Sequence, residues 1–266
     1  MCLMALAWQQ RQRFPLVLAA NRDEYTDRPA APMAWWQPAE GGPALLSGRD
    51  LRGGGTWLGL TRSGKLGLLT NVRTPAVTDP QAPTRGRIVI DWLTSDQPAE
   101  MFFGRLRGAA HAPFNLLAAD LRENDWRWTS NIAEAPRPLQ PGLTGLSNAA
   151  LDTPWPKVQR LKQGLAEEIE RVDSRTALIE ALLLRLTDEV RASDADLPAT
   201  GVPMEVERML SSIFVRSPDG RYRTRCSTVL VVERTAAGCL TEVVELNHDD
   251  GTRACHTLPD WPPRQR

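Results

Sequence analysis

The chain has 266 residues, of which 42% are hydrophobic, and its 32 lysines and arginines are balanced by 32 aspartates and glutamates. A chain of this length can bury one sizeable core, and we expect a single domain over residues 1–266. The lack of net charge argues against nucleic-acid binding, and no apolar run approaches the ~20 residues that a membrane-spanning helix needs.

The start of the chain lacks the basic segment, long apolar run and cleavage site of a secretory signal, so we expect a soluble, cytoplasmic protein. Its four cysteines form no CxxC pair, which favours a reducing compartment over a disulfide framework. Only three histidines are present, and none has HExxH or zinc-finger spacing. We therefore expect no metal site, no cofactor and no histidine-based triad.

Apolar runs separated by polar turns predict hairpins in the first half of the chain. We expect residues 28–43 to form a loop because they are rich in proline. The predicted strands cover residues 2–8, 16–20, 56–60, 66–72, 114–120 and 126–132. The predicted helices of this half cover residues 85–94 and 99–107.

The second half contains two amphipathic helical patterns, at residues 157–172 and 175–191, followed by a hairpin of strands at 228–233 and 240–246. The first helix carries an apolar stripe at three- and four-residue steps, so we expect these helices to form an outer layer without a catalytic part. Glu167 and Glu168 should then point outward. Strands, helices and strands joined mostly by hairpins indicate an antiparallel α+β fold and not a Rossmann sheet.

Cys2 is the strongest catalytic candidate. If the first two strands pair, Cys2 and Asp23 become near neighbours. If Met1 is removed, the α-amino group of Cys2, with an ordinary pKa of ~7.7–8.0, can accept the thiol proton. Asp23 would orient the ammonium form of that group, and Arg22 could hold the thiolate or a substrate carboxylate. The alternative is that Cys2 is a small buried hydrophobe and that residues 21–24 form a strand-end turn.

Three further residues are candidates from their position alone. Asn71 and Asn148 each lie where an apolar stretch ends, and a side-chain amide there can donate to a developing oxyanion; asparagine is also a common turn residue. Arg225 precedes a predicted buried strand, where it can pair with an internal carboxylate or bind a substrate anion. Its alternative is a solvated cation at a strand edge.

In their order, these motifs resemble the NRDE family, the bacterial relatives of transport and Golgi organisation protein 2. The resemblance runs nearly end to end. The matching segments are Met1-Cys2, Asn21-Arg22-Asp23-Glu24, Gly48-Arg49-Asp50, residues 54–59, residues 70–73, Asn148, Trp155-Pro156-Lys157-Val158 and Arg225-Cys226-Ser227-Thr228. Arg223 departs from the family pattern, which has a glycine there, and could crowd the site or change its charge.

The resemblance implies a fold similar to that of the N-terminal nucleophile hydrolases, an αββα sandwich of two antiparallel sheets between helical layers. By similarity to penicillin and bile-salt acylases, Cys2 would be the nucleophile, Asp23 its support, and Asn71 and Asn148 the oxyanion donors. The acylases have an arginine where this chain has Ala20, so that charge would have to come from elsewhere. Arg22 and Arg225 are the candidates for it. The expected substrate-binding residues are Asn21, Arg22 and Trp57.

The first functional hypothesis is therefore an amidohydrolase-like enzyme that cleaves a linear amide or a thioester through an acyl-Cys2 intermediate. The family association gives two alternatives, a non-catalytic carrier of haem or a fatty-acyl ligand, and a structural protein of secretion. In the first two cases the partner is a small molecule, either an acyl substrate or a haem or lipid ligand.

Overall fold

The computed structural model describes residues 2–75, 79, 81–106, 110–132 and 136–263. The strands are β1 (Cys2–Trp8), β2 (Leu16–Tyr25), β3 (Ala30–Trp36), β4 (Leu45–Asp50), β5 (Leu58–Thr61), β6 (Lys65–Asn71), β7 (Phe114–Asp120), β8 (Asp125–Ser130), β9 (Arg137–Pro138), β10 (Gly142–Leu146), β11 (Tyr222–Thr235), β12 (Gly238–Asn247) and β13 (Arg253–Pro259). The helices are α1 (Gly86–Thr94), α2 (Ala99–Leu106), α3 (Pro156–Arg171), α4 (Arg175–Arg185) and α5 (Met204–Met209).

The strands form two antiparallel sheets, which confirms the expected α+β class. Contacts divide the chain into two compact units. The first unit comprises Met1–Asp27 and Pro141–Asp260, and the second comprises Arg28–Gln140 and Trp261–Arg266. The expectation of a single domain over the whole chain stays a prediction.

The first unit contains a six-stranded sheet in the order β10-β1-β2-β11-β12-β13. Alternate residues of its central strands, such as Leu3, Val17 and Val229, pack against α3 and α4. The expected apolar stripe of α3 is confirmed, since Val158, Leu161, Leu165 and Ile169 are all buried in this core. The helix lies so close to β10 that a Cβ at Gly145 would be 2.5 Å from the Val158 side chain, which explains a glycine in that strand.

The second unit contains a seven-stranded sheet in which β3 to β9 follow one another in chain order. Helices α1 and α2 cover an apolar core on this sheet. Trp92 of α1 stacks on Phe103 of α2 at a centroid distance of 5.2 Å, and its Nε1 donates to the Leu66 carbonyl oxygen at 2.8 Å. Aromatic packing and one hydrogen bond therefore fix α1 on the sheet.

The interpretation of residues 28–43 as a loop is wrong, because β3 lies within them. Pro32 is tolerated there for two reasons: β3 is an edge strand, and its pairing with β4 is irregular between Ala31 and Ala34. The alternative of a turn at residues 21–24 is also wrong, because β2 continues through Tyr25.

The expectation that Glu168 points outward is wrong as well. The residue is 4% exposed, and its carboxylate accepts hydrogen bonds from Arg171 and Arg185, whereas Glu167 is exposed. Helix α4 ends at Arg185, six residues earlier than predicted. Among the described residues, no helix combines the length and the apolar character that a membrane crossing requires.

Candidate functional site

Cys2 begins β1, and its partner on β2 is Arg22. Paired residues of antiparallel strands point to the same face of a sheet, so Cys2 and Arg22 share a face. Asp23, the next residue along β2, points to the opposite face, which carries the helices. The hairpin thus brings Cys2 and Asp23 close along the backbone, with side chains on different sides of the sheet.

A row of side chains crosses three strands on the Cys2 face. Arg22 also pairs with Cys226 of β11, so it lies between the two cysteines. The Arg22 side chain is 5% exposed, and its Nη2 lies 3.8 Å from Oε2 of Glu24. Burial, together with the nearby carboxylate of Glu245, raises the pKa of the Cys226 thiol well above its usual range. Cys226 is therefore a neutral thiol.

Burial also raises the pKa of the Cys2 thiol, while the positive charge of Arg22 acts in the opposite direction. Cys2 as a whole residue is only partly buried. A thiol in this environment is protonated at neutral pH, so it becomes a nucleophile only with a base beside it.

Asn148 lies at the same end of β1. Strand β10 pairs with β1 so that Met4 faces Leu146, and Asn148 follows two residues later. Oγ of Ser147 lies 3.1 Å from both the carbonyl oxygen of Cys2 and Oδ1 of Asn148. Asn148 is 1% exposed. The structure thus brings a buried amide next to the start of β1, and Ser147, which the sequence interpretation missed, connects the two.

Asp23 belongs to a buried polar group on the helix face. It is 1% exposed, and its Oδ1 accepts a 2.6 Å hydrogen bond from Thr224 Oγ1. Burial raises the pKa of Asp23, and the positive charge of Lys157 on α3 opposes that rise. Lys157 is itself 2% exposed. The sequence identifies Lys157 only as part of the motif Trp155-Pro156-Lys157-Val158, and its place beside an apolar stripe is the one signal of burial.

Asn21 also points to the helix face, away from Cys2. Its Nδ2 donates to the carbonyl oxygens of Leu186 at 2.8 Å and Ile213 at 3.0 Å. Its Oδ1 accepts from Ser227 Oγ at 2.6 Å. The amide of Asn21 therefore joins β2 to the segments after α4 and before β11, and the structure does not bring it to Cys2.

The same contacts assign the tautomer of His248, whose Nε2 lies 2.7 Å from Ser227 Oγ. Because Ser227 gives its hydroxyl proton to Asn21, the hydrogen on this contact must come from His248 Nε2. Ser227 and His248 consequently do not form a nucleophile and base.

Arg225 is the extra residue where the pairing of β2 and β11 shifts, between Thr224 and Cys226. Its Nε donates to Asp249 at 2.7 Å, and its Nη1 donates to the carbonyl oxygen of Tyr25 at 2.6 Å. Arg223 pairs with the same carboxylate. These contacts hold the end of β2 to the turn after β12, and they explain what the arginine at position 223 does here.

Asn71 and Trp57 lie in the second unit. Asn71 is the last residue of β6, opposite Phe114, and is partly buried. Trp57 directly precedes β5, and its ring lies against Gly48 of β4, where a Cβ would be 2.5 Å from the indole. Its carbonyl oxygen accepts a 2.8 Å hydrogen bond from the Leu69 backbone nitrogen.

Sequence comparison identifies full-length relatives. The homologue of Transport and Golgi organization protein 2 from Bos taurus is 37% identical over 268 residues, which cover 94% of this chain and 95% of the bovine protein. The human homologue is 34% identical over 269 residues with the same two coverages. The Drosophila melanogaster protein is 27% identical over 239 residues, or 83% of this chain and 82% of the fly protein.

Two solved structures are more distantly similar. The N-acylethanolamine-hydrolyzing acid amidase orthologue of Caenorhabditis elegans gives a TM-score of 0.48 at 14% identity, over 86% of this chain and 92% of the nematode chain. The C2A mutant of conjugated bile acid hydrolase from Clostridium perfringens gives 0.47 at 8% identity, over 100% and 98% of the two chains. The model of the Transport and Golgi organisation 2 family matches residues 1–245. The chain therefore belongs to the Transport and Golgi organisation 2 family, as its ordered motifs predicted.

Proposed function

We propose that this protein is an N-terminal cysteine amidohydrolase-like enzyme that cleaves a linear amide or a thioester through an acyl intermediate on Cys2. The observation that carries the proposal is the placement of Cys2 directly opposite the buried guanidinium of Arg22, with the buried amide of Asn148 at the same strand end. Acyl transfer needs a nucleophile and donors to the oxyanion, and a fixed positive charge can in addition hold an anionic group of the substrate.

The chemistry depends on a base for the protonated thiol. Removal of Met1 would give Cys2 a free α-amino group, which accepts the thiol proton as the sulfur attacks the carbonyl carbon. Asn148 donates to the oxyanion of the tetrahedral intermediate. The ammonium then returns its proton to the leaving amine or thiol, and water, activated by the same amine, hydrolyses the acyl-Cys2 bond.

The remaining candidates take supporting places in this proposal. Asn71 and Trp57 belong to the second unit, and their roles as oxyanion donor and substrate contact rest on the family resemblance. In this proposal Arg225 does not contact the substrate, because its guanidinium is bonded to Asp249 and to backbone carbonyl oxygens. It supports the site by holding the end of β2 in place. Asn21 is left out of the substrate site, since its amide is fully used on the helix face.

The test is a panel of chromogenic acyl amides and acyl thioesters, applied to the wild type, Cys2→Ala and Cys2→Ser. We expect Cys2→Ala to abolish turnover without unfolding the protein, because a small thiol contributes little packing. Cys2→Ser should keep only a trace, since a hydroxyl is much harder to deprotonate. The matched control is Cys255→Ala, which removes an exposed thiol on β13 and should leave turnover unchanged.

Intact-mass measurement on protein from its native host supplies the second test, because the mechanism requires loss of Met1. A mass that retains Met1, or equal turnover in wild type and Cys2→Ala, would contradict the proposal. The family's alternative, a haem or fatty-acyl carrier, predicts binding that survives both Cys2 variants. If the thiolate ligates haem iron, Cys2→Ala would instead shift the haem absorption spectrum.

A further inference from the structure

The hydroxyl group of Ser147 contacts both residues on which the proposed reaction depends. Its Oγ lies 3.1 Å from the carbonyl oxygen of Cys2 and 3.1 Å from Oδ1 of Asn148. Both of these oxygens can only accept a hydrogen bond, so Ser147 is the donor in each contact. One hydroxyl proton is thus shared between two acceptors at equal distance, as in a three-centre hydrogen bond.

This contact sets the orientation of the Asn148 amide. Ser147 is 3% exposed and Asn148 is 1% exposed, so both side chains are shielded from bulk water. Because the oxygen end of the amide faces the Ser147 hydroxyl, the nitrogen end is turned away from it. A half-turn of the amide would exchange these ends and present an acceptor where the reaction needs a donor.

The main chain beyond Asn148 is anchored by a separate set of bonds. The backbone nitrogen of Asp152 donates to the Gly145 carbonyl oxygen at 2.9 Å, and the Gly145 nitrogen donates to Oδ1 of Asp152 at 2.8 Å. Lys162 of α3 forms a 2.6 Å ion pair with the same carboxylate oxygen. Residues 146–151 therefore form a closed loop that holds the Asn148 backbone, and the side-chain orientation is what remains for Ser147 to fix.

The register of the strands places the Asn148 amide on the face of the Cys2 thiol. Met4 pairs with Leu146, so two further residues along each strand bring Cys2 and Asn148 opposite each other. The bond from Ser147 to the Cys2 carbonyl oxygen keeps the two strands adjacent beyond that last pair. Opposite residues of antiparallel strands point to the same face of a sheet.

We propose that Ser147 is a positioning residue, whose hydroxyl group fixes the Asn148 amide relative to the backbone of Cys2 so that Nδ2 faces the developing oxyanion. The inference rests on the proposed function of Cys2 and Asn148. Ser147 contacts no reacting atom and acts through Asn148. A donor that is already oriented stabilises the transition state without reorganisation, and an amide that can rotate loses part of this effect.

The kinetic test compares Ser147→Ala, Asn148→Ala and the double variant on the acyl substrates named above. Loss of one oxyanion donor should cost Asn148→Ala roughly 10²–10³ in kcat. Ser147→Ala should lose roughly ten- to hundredfold in kcat with KM little changed, because the donor is misplaced and not removed. The double variant should be no slower than Asn148→Ala alone, since Ser147 acts through Asn148. A merely structural role would make the two losses multiply.

The matched control is Ser212→Ala, which removes another buried hydroxyl group in the same unit. Oγ of Ser212 donates to the carbonyl oxygen of Phe214 at 2.6 Å. This variant should leave kcat unchanged, and Ser147→Thr, which keeps a hydroxyl group, should recover most of the activity. If Ser147→Ala does not fold, Ser147→Cys provides the same comparison, because a thiol is only a weak donor.

Nuclear magnetic resonance of ¹⁵N-labelled asparagine side chains gives a readout that needs no substrate. The two amide protons of Asn148 are identified by the loss of their signals in Asn148→Ala. We expect the order parameter of this amide to fall in Ser147→Ala and to stay unchanged in Ser212→Ala.

The outcomes separate the inference from the proposed function. If the wild type turns over no acyl substrate, the proposed function fails, while the order of the Asn148 amide still tests whether Ser147 holds it. An unchanged order parameter in folded Ser147→Ala would overturn the inference. In an active enzyme, losses of kcat that multiply in the double variant would overturn it as well.

Discussion

Along β2 the motif Asn21-Arg22-Asp23-Glu24 alternates between the two faces of one sheet. Asn21 and Asp23 point toward the helices, while Arg22 and Glu24 point to the face that carries Cys2. The sequence predicts the closeness of Cys2 and this motif, because a hairpin requires it. It does not predict the division between faces, which depends on where β2 ends and on its pairing with β11, two hundred residues away.

Asn21, which points to the helix face, is the basis of a prediction about stability. Asn21→Ala removes three buried hydrogen bonds, leaves two carbonyl oxygens without this donor, and leaves the Ser227 hydroxyl with His248 as its remaining contact. We expect the free energy of unfolding to fall by about 2–3 kcal/mol in urea denaturation. Gln159→Ala, at an exposed position of α3, should change it by no more than ~0.5 kcal/mol. A loss for Asn21→Ala as small as that of the control would show that these bonds are dispensable.

At the scale of the element, α3 shows what hydrophobic periodicity predicts and what it leaves out. The stripe at Val158, Leu161, Leu165 and Ile169 predicts the buried face correctly. The same helix buries Lys157 and Glu168, one at each end. The carboxylate of Glu168 accepts hydrogen bonds from Arg171 on the next turn and from Arg185 of α4, and a single-helix pattern contains no information about such partners.

For α3 we predict how the buried carboxylate of Glu168 contributes to the free energy of unfolding. Burial disfavours its charge, but hydrogen bonds from Arg171 and Arg185 keep the pKa of Glu168 below its usual value. Glu168→Gln should lower the free energy of unfolding by about 1–2 kcal/mol, since both charge-assisted bonds are weakened. Glu167→Gln, one residue earlier and exposed, serves as the control and should stay within ~0.5 kcal/mol. Equal values for the two variants in chemical denaturation would refute the distinction.

Two of the strands that the sequence pattern does not predict, β10 and β13, have identifiable physical causes. Strand β10, Gly142–Leu146, contains two glycines in five residues, and Gly145 is there because α3 packs on it. Strand β13 is an edge strand in which exposed residues alternate with partly or fully buried ones, and it lacks an apolar run. Both strands form because a neighbouring strand pairs with them. The local sequence pattern contains no information about that tertiary contact.

At the scale of the whole molecule, the ion pairs of Asp249 make stability depend on pH. Burial acts to raise the pKa of Asp249, but hydrogen bonds from Arg225 and Arg223 prevail and lower it. A carboxyl group with a lowered pKa in the folded state stabilises the protein above its unfolded pKa of ~3.9, and that contribution is lost as the pH falls through the folded pKa.

Asp249→Asn should therefore be less stable than the wild type by about 1 kcal/mol at pH 7, a value reduced by solvent screening at this partly exposed site. The difference should shrink as the pH falls below ~4. Urea denaturation at several pH values measures it, with Glu170→Gln as an exposed carboxylate control on α3. A difference that stays constant down to low pH would mean that charge is not its cause.

The strand orders of the two sheets also determine when each can be completed during synthesis. The seven strands of the second unit follow one another in the chain, so none of them has to wait for a distant segment before it can pair. Strand β2, in contrast, waits for β11, about two hundred residues later, or roughly 10–40 s at ordinary elongation rates. During that interval the hairpin that carries Cys2 lacks its central neighbour. Arg22 therefore meets Cys226, its partner on β11, only when most of the chain has been made.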